Sequence, residues 1–71
     1  MEIQLRLSEG QATDDLLDFF QRREMTARRV GKDGLAVELP EELQEKQGRM
    51  ELELLLRVWQ LMNPEIRVDV L

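Results

Sequence analysis

The chain has 71 residues, carries a net charge of −5 and contains neither cysteine nor histidine. A chain of this length forms at most one domain, here 1–71, and its core must be thin. The missing residue types exclude disulfides, thiolate metal sites and the usual acid–base catalyst of neutral pH.

The first predicted elements are a half-buried strand and an amphipathic helix. Apolar and polar residues alternate strictly over 1–7, which is typical of a strand with one face on a core. Thr13 followed by Asp14 and Asp15 is typical of a helix N-cap with acids in the first turn. A helix over 13–24 is therefore predicted. Its apolar face is formed by Leu16, Leu17, Phe19 and Phe20.

Two further strands, joined by a tight turn, are predicted next. The segment 25–32 alternates poorly because of its two adjacent arginines, which suits the edge of a sheet. Lys32-Asp33-Gly34 is a turn signal, and its glycine is expected to take the positive φ that the last loop position needs. The following strand covers 35–39 and ends at Pro40, whose nitrogen cannot donate to a ladder.

The second half of the chain is predicted to be mainly helical. Pro40-Glu41-Glu42 suits a helix start. Gly48 is expected to divide a short helix, 41–47, from a longer one, 49–62. The alternative is that 49–59 forms an extra strand, since its first residues alternate. Its residue types are mostly helix formers and favour the helix.

With a final strand over 66–71, the order of elements is βαββαβ. This order resembles the split βαβ pattern of ferredoxin-like folds. The resemblance implies an α+β fold, a sandwich in which an antiparallel four-stranded sheet carries two helices on one face. In that topology strands 1 and 3 are central, and these are the best-patterned strands of the chain. The poorly patterned second strand would then lie at an edge.

The second helix is apolar over more of its circumference than one core requires. Its polar stripe is narrow and consists of Glu53, Arg57 and Gln60. A helix lying on a sheet needs an apolar arc of only about 100° or somewhat more. Contiguous apolar surface left in solvent usually marks an interface. A protein partner is therefore expected on this helix, either a second copy in a symmetric homodimer or a hetero-partner.

The predicted contact face of this helix has residues three or four positions apart. It consists of Leu52, Leu55, Trp59 and Met62. Trp59 is the expected anchor, because tryptophan is frequent at binding hot spots. The opposite face, with Leu54, Val58 and Leu61, is expected to lie on the sheet. Two alternatives stay open: the faces are reversed, since both are apolar, or other segments cover the surplus.

Basic residues are concentrated in one segment of this acidic chain. Residues 22–32 carry a net charge of +4, and the rest of the chain carries −9. Solvated side chains at a helix end and on an edge strand would explain the block. The alternative is a docking patch for an acidic partner. The patch would consist of Arg22, Arg23, Arg28, Arg29 and Lys32.

No residue pattern predicts catalysis, a cofactor or a metal. The hydroxyl side chains have no histidine to activate them. The carboxylate pairs Asp14-Asp15 and Glu41-Glu42 are explained by helix starts and lack the spacing of a metal site. The four glycines form no phosphate loop. Nucleic-acid binding is not expected either, because the outward strand positions include no aromatic residue on which a base could stack.

Neither a membrane segment nor export is expected. No apolar run reaches the about 20 residues that span a bilayer. The first residues, MEIQLRL, lack the basic start and the long apolar core of a secretion signal. A cytoplasmic location is therefore predicted.

The order of elements also resembles that of ACT-type regulatory domains, which sense small molecules. Ser8-Glu9-Gly10 lies where those domains carry an acidic, glycine-containing ligand loop, although the proline usual there is missing. The resemblance covers the whole chain and implies a ligand-sensing alternative that uses the loop 8–12. The first hypothesis is a non-enzymatic protein–protein interaction or assembly module that self-associates through helix 2 or a sheet edge.

Overall fold

Residues 1–39 and 44–71, which the structure describes, form a four-stranded antiparallel sheet and two α-helices. The structure is a computed structural model. In chain order its elements are β1 (Glu2–Leu7), a 3-10 turn (Gly10–Ala12), α1 (Thr13–Arg22), β2 (Thr26–Val30), β3 (Gly34–Glu38), α2 (Glu45–Met62) and β4 (Val68–Val70). The predicted α+β class, with an antiparallel four-stranded sheet and two helices, is confirmed.

The strands lie in the order β2-β3-β1-β4, and each neighbouring pair is antiparallel. The well-patterned β1 and β3 are central and the arginine-rich β2 is at an edge, as predicted. Ile3 lies opposite Val37 and Leu5 opposite Leu35. The inward residues of the two central strands therefore form adjacent apolar pairs on one face of the sheet.

One buried cluster joins the sheet to both helices. The alternation along β1 buries Ile3, Leu5 and Leu7 and leaves the residues between them exposed. From the helices, the same cluster contains Leu16, Phe19 and Phe20 of α1 and Leu52, Leu56 and Trp59 of α2. Burying a large apolar side chain contributes about 1.5–3 kcal/mol. The helices are therefore held mainly by apolar contact.

Helix α2 is continuous, so the predicted division at Gly48 is wrong, as is the alternative of a strand over 49–59. The Gly48 N–H donates to the Gln44 carbonyl oxygen at 3.0 Å. A Cβ at Gly48 would lie 3.1 Å from Cδ1 of Leu39. The glycine therefore allows the helix to pack closely against the residue that follows β3. The predicted helix start at Pro40-Glu41-Glu42 falls outside the described residues.

The start of α1 keeps its predicted acids but not its predicted cap. Asp14 and Asp15 lie in the first turn. Thr13 is the first helical residue, and the N-cap position is held by Ala12, whose side chain has no oxygen to accept a bond. The Thr13 hydroxyl is buried and has no hydrogen-bond partner among the described residues. Its oxygen therefore caps nothing.

The end of α1 comes two residues earlier than predicted, at Arg22. Glu24 has a positive φ of 61° and ends the helical conformation. Its N–H donates to the carbonyl oxygen of Gln21, and the N–H of Met25 donates to that of Phe20. These two bonds form a Schellman motif, in which a glycine usually occupies the position of Glu24.

The turn between β2 and β3 and the last strand also differ from the prediction. The positive φ of the turn, 72°, occurs at Gly31 rather than at Gly34. Gly34 is instead the first residue of β3 and pairs with Val30. The final strand is restricted to three residues, and Ile66, expected in it, contributes to the core from the preceding loop.

Candidate interaction surface

Helix α2 carries apolar side chains on two opposite faces, and one of them lies on the core. The core face includes Leu52, Leu56 and Trp59, which are four and three residues apart and at most 5% exposed. Leu55 is partly buried and packs beside them. This spacing places all four side chains on one side of a helix.

The structure reverses the predicted orientation of this helix. Leu52 and Trp59, predicted to contact a partner, are 1% and 2% exposed and belong to the core cluster. Of the other two predicted contact residues, Leu55 is half-buried and Met62 is exposed. The residues expected on the sheet, Leu54, Val58 and Leu61, are all exposed.

The positions of two charged residues, Glu51 and Arg57, explain this orientation. Arg57 follows Leu54 by three residues and precedes Leu61 by four, so the three side chains share a face. A guanidinium buried without a partner is strongly unfavourable. Glu51, three residues before Leu54, adds a second charge to this face, whereas the opposite face has Arg49 at its edge. The charges at positions 51 and 57 together were thus the signal in the sequence that marks the exposed face.

The exposed face carries a row of apolar side chains along the helix, called the α2 stripe below. It consists of Met50, Leu54, Val58, Leu61 and Met62. Leu61 is 82% exposed and Leu54 60%. A shallow groove of about 180 Å³ runs along its border and is lined by Met50, Glu53, Leu54 and Arg57. Such a patch on a small chain usually marks an interface.

Two opposite charges, Glu53 and Arg57, border the α2 stripe. They lie four residues apart, a spacing at which helical side chains often pair. Within the part of the chain that the structure describes, neither makes an ion pair or a side-chain hydrogen bond. Both charged groups are therefore available to a partner.

The predicted basic docking patch does not form a single surface. Arg28 and Arg29 are neighbours in β2, so their side chains point to opposite faces of the sheet. Nη1 of Arg28 donates to Glu2 at 3.1 Å, across the open face. Nη1 of Arg29 donates to Asp14 at 2.9 Å, at the start of α1. Each guanidinium thus meets a carboxylate of the chain itself.

The remaining residues of this block lie at the end of α1 and in the β2–β3 turn. Nε of Arg22 lies 2.9 Å from a carboxylate oxygen of Asp18. The guanidinium of Arg23 lies over the ring of Phe19, 3.7 Å from its centroid, and donates to the Phe19 carbonyl oxygen. Lys32 is exposed in the turn. Docking of an acidic partner by this block stays a prediction.

The loop 8–12 is bound to neighbouring segments of the chain. The Ser8 hydroxyl oxygen accepts from the Arg67 N–H at 2.8 Å, and the Ser8 N–H donates to the Arg67 carbonyl oxygen at 2.8 Å. A Cβ at Gly10 would lie 2.7 Å from the Lys32 carbonyl oxygen. Ser8 and Gly10 therefore contribute to packing of the loop against the entry to β4 and against the β2–β3 turn.

Neither a metal centre nor a membrane-spanning helix is found in residues 1–39 and 44–71. No three acidic, histidine or cysteine side chains there are grouped so that they could hold a metal ion. None of the helices in these ranges has the length and apolar character needed to cross a bilayer.

Comparison with protein-family models gives no match, and neither curated proteins nor solved structures match the chain. The α2 stripe is therefore the feature from which a function can be inferred.

Proposed function

We propose that this chain is a small, non-enzymatic interaction module that associates with a second copy of itself through the α2 stripe. The observation that carries this proposal is the row of exposed apolar side chains on a helix whose other face already fills the core. Apolar surface in water is unfavourable by about 25 cal/mol per Å². Association of two stripes removes this surface from water.

The dimensions of α2 suit such an interface. Its 18 residues span about 27 Å, and the longest extent of the chain is 32 Å. A stable interface buries at least about 1,000 Å² in total, or about 500 Å² from each copy. That is about a tenth of the 5013 Å² accessible surface of the chain. One face of a helix of this length is of the size that such an interface needs.

The sheet edges are less suited to self-association. At one edge, β2 carries Arg28 and Arg29, and charged side chains on an edge strand oppose pairing with another strand. At the other edge, β4 has only three residues. The α2 stripe is therefore preferred to a sheet edge as the contact surface.

A ferredoxin-like split βαβ sandwich, with both helices on one face, is the scaffold we propose for this stripe. The strand order β2-β3-β1-β4 with antiparallel neighbours supports it. The single buried cluster, which includes residues of both helices and the inward residues of β1, supports it as well. On such a scaffold, the far side of α2 is free to meet a partner.

Sedimentation velocity at micromolar concentration tests the proposal. We expect the wild type to sediment as a dimer and the double variant Leu54→Asp/Leu61→Asp as a monomer. Because both leucines are exposed, the variant should keep its circular dichroism spectrum and urea midpoint measured in dilute solution. The matched control is Leu71→Asp, which also places a charge at an exposed leucine (65%) but away from α2. It should stay dimeric.

A wild type that remains monomeric at high micromolar concentration would overturn self-association. A dimeric Leu54→Asp/Leu61→Asp variant would overturn the choice of surface. A melting temperature that rises with an added metabolite, and not with protein concentration, would instead favour the ligand-sensing alternative.

A further inference from the structure

We infer that the two copies of α2 pair antiparallel about a twofold axis, with Met50 opposite the partner's Leu61 and Leu54 opposite the partner's Arg57. This inference rests on the self-association proposed above and adds its direction and register. Spacing and charge along the exposed face of the helix carry it.

The exposed side of α2, the α2 stripe together with Arg57 at its border, has the spacing of a helix–helix seam. Met50, Leu54, Arg57 and Leu61 are four, three and four residues apart, as in the repeat that keeps one narrow face toward a partner helix. In a twofold interface, residue i contacts residue j and residue j contacts residue i. Residue 50 with the partner's residue 61, and residue 54 with the partner's residue 57, are both centred between residues 55 and 56. One antiparallel register therefore forms both pairs.

The charge of Arg57 determines the direction of pairing. In a parallel pair, identical residues would face each other, and two Arg57 guanidiniums would meet at the centre of the contact. Like charges at a partly desolvated contact repel strongly. In the antiparallel pair, the methylene stem of Arg57 covers the partner's Leu54 instead. Its guanidinium then reaches the border of the stripe.

At that border the guanidinium meets the partner's Glu53. Arg57 lies opposite the partner's Leu54 and therefore within one residue of the partner's Glu53. Because the axis is twofold, the same contact forms twice, once on each side of the axis. Neither charge makes an ion pair within the described residues. The pairing therefore gives each of them a partner of opposite sign. The antiparallel register thus satisfies the apolar seam and both charges together.

Disulfide trapping tests the register, and no native thiol competes with the introduced ones because the chain contains no cysteine. The variants are Met50→Cys, Leu61→Cys and the double variant Met50→Cys/Leu61→Cys, each oxidised in a glutathione buffer. Both positions are more than half exposed, so folding should be unaffected. On one helix the two positions are about 16 Å apart, too far for a bond within one chain.

For the antiparallel pair we expect a covalent dimer from the double variant and none from either single variant. Covalent dimers from each single variant would show parallel pairing and overturn the inference. If the wild type sediments as a dimer and no variant crosslinks, the register is wrong although self-association stands. If the wild type is monomeric, self-association itself fails.

Charge reversal gives an independent readout, the dissociation constant of the dimer. Glu53→Arg alone and Arg57→Glu alone each convert two attractive contacts into repulsive ones, which should weaken the dimer about tenfold. A mixture of the two variants restores opposite charges at both contacts and should associate as tightly as the wild type. In a parallel pair, neither single reversal would weaken association. That result would overturn the inference as well.

Discussion

Gly34 of β3 lies so close to Val30 of β2 that a Cβ on Gly34 would stand 2.6 Å from the Val30 carbonyl oxygen. The same Cβ would lie 3.3 Å from the carbonyl oxygen of Leu5, on the opposite neighbouring strand. The obstructing atoms are backbone atoms of paired strands and cannot move aside as a flexible side chain would. The φ of Gly34 is not positive, so its backbone conformation does not require glycine. The space between the neighbouring strands does, because it leaves no room for a Cβ.

Replacing Gly34 with alanine should accordingly destabilise the fold. Overpacking a close-packed site costs about 1–3 kcal/mol, and here the central strand itself must shift. Urea unfolding in dilute solution measures the change as a lower midpoint at constant slope. The matched control is Gly48→Ala, where the nearest atom is the side-chain Cδ1 of Leu39 at 3.1 Å. Equal stability of the two variants would contradict this explanation.

A second prediction concerns the positive φ of Glu24 at the end of α1. A left-handed conformation costs an L-residue about 1–2 kcal/mol, whereas glycine adopts it freely. After the larger entropy of glycine in the unfolded chain is subtracted, Glu24→Gly should raise the unfolding free energy by about 0.5–1 kcal/mol. The converse change is Gly31→Ala at φ 72°, where a Cβ would have no atom within 4 Å. This variant should lower the unfolding free energy by a similar amount.

Urea unfolding of these two variants separates conformation from contact. The effects should be opposite in sign, because one change relieves a left-handed residue and the other creates one. Loss of stability in Glu24→Gly would mean that the glutamate side chain contributes more than its backbone conformation costs.

A third prediction follows from the buried hydroxyl of Thr13. A buried polar atom without a partner costs about 1–3 kcal/mol. Valine has nearly the same shape without the hydroxyl, so Thr13→Val should raise the unfolding free energy by about 1–2 kcal/mol. Thr26→Val, at an exposed edge position, is the control and should change it by less than about 0.5 kcal/mol. A destabilised Thr13→Val variant would indicate that the hydroxyl has a hydrogen-bond partner after all.

A fourth prediction concerns the two arginines of β2. Arg28 pairs with Glu2 and Arg29 with Asp14, and all four side chains are more than a third exposed. Exposed ion pairs contribute about 0–1 kcal/mol, so Arg28→Glu and Arg29→Glu should each have a small effect. Because the side chains lie on opposite faces, the two effects should add to within about 0.5 kcal/mol. If the double variant departs from the sum of the two single effects by more than about 0.5 kcal/mol, the two arginines interact and lie on one surface.

The elements that follow from local pattern were predictable from the sequence. The strict alternation of residues 1–7 depends only on which face of the strand is buried, and β1 forms as expected. The edge position of β2 followed from its adjacent arginines, since charges there are tolerated only where one side of the strand is free. The two helices and the four strands could therefore be predicted without any tertiary information.

The features that depend on distant segments were not predictable in this way. Gly48 was expected to end a helix, but its role depends on the approach of Leu39, nine residues earlier. The end of α1 lies at a glutamate with positive φ, where no glycine marks it in the sequence. The apolar excess of α2 was predicted, but its orientation was not, because apolar residues occur at helical spacing on both faces. The charges of Glu51 and Arg57 mark the exposed face.

The fifth prediction tests that orientation directly by comparing Trp59 with Leu61. Trp59 is 2% exposed and belongs to the core cluster, whereas Leu61 is 82% exposed. Truncating a large buried aromatic side chain costs about 3–5 kcal/mol, a large share of the 5–15 kcal/mol that stabilises a typical domain. Trp59→Ala should therefore unfold much of the population in mild urea. Leu61→Ala should change the unfolding free energy of the dilute protein by less than about 0.5 kcal/mol.

Self-association should respond in the opposite way to this pair of variants. Leu61→Ala removes apolar surface from the α2 stripe and should shift the dimer toward monomer in sedimentation, with an unchanged circular dichroism spectrum. Because association stabilises the folded form by mass action, the wild type should gain stability with concentration, and Leu61→Ala should gain less. If Trp59→Ala instead stays fully folded and sediments as a monomer, Trp59 contacts the partner, and the face first predicted from the sequence is the interface.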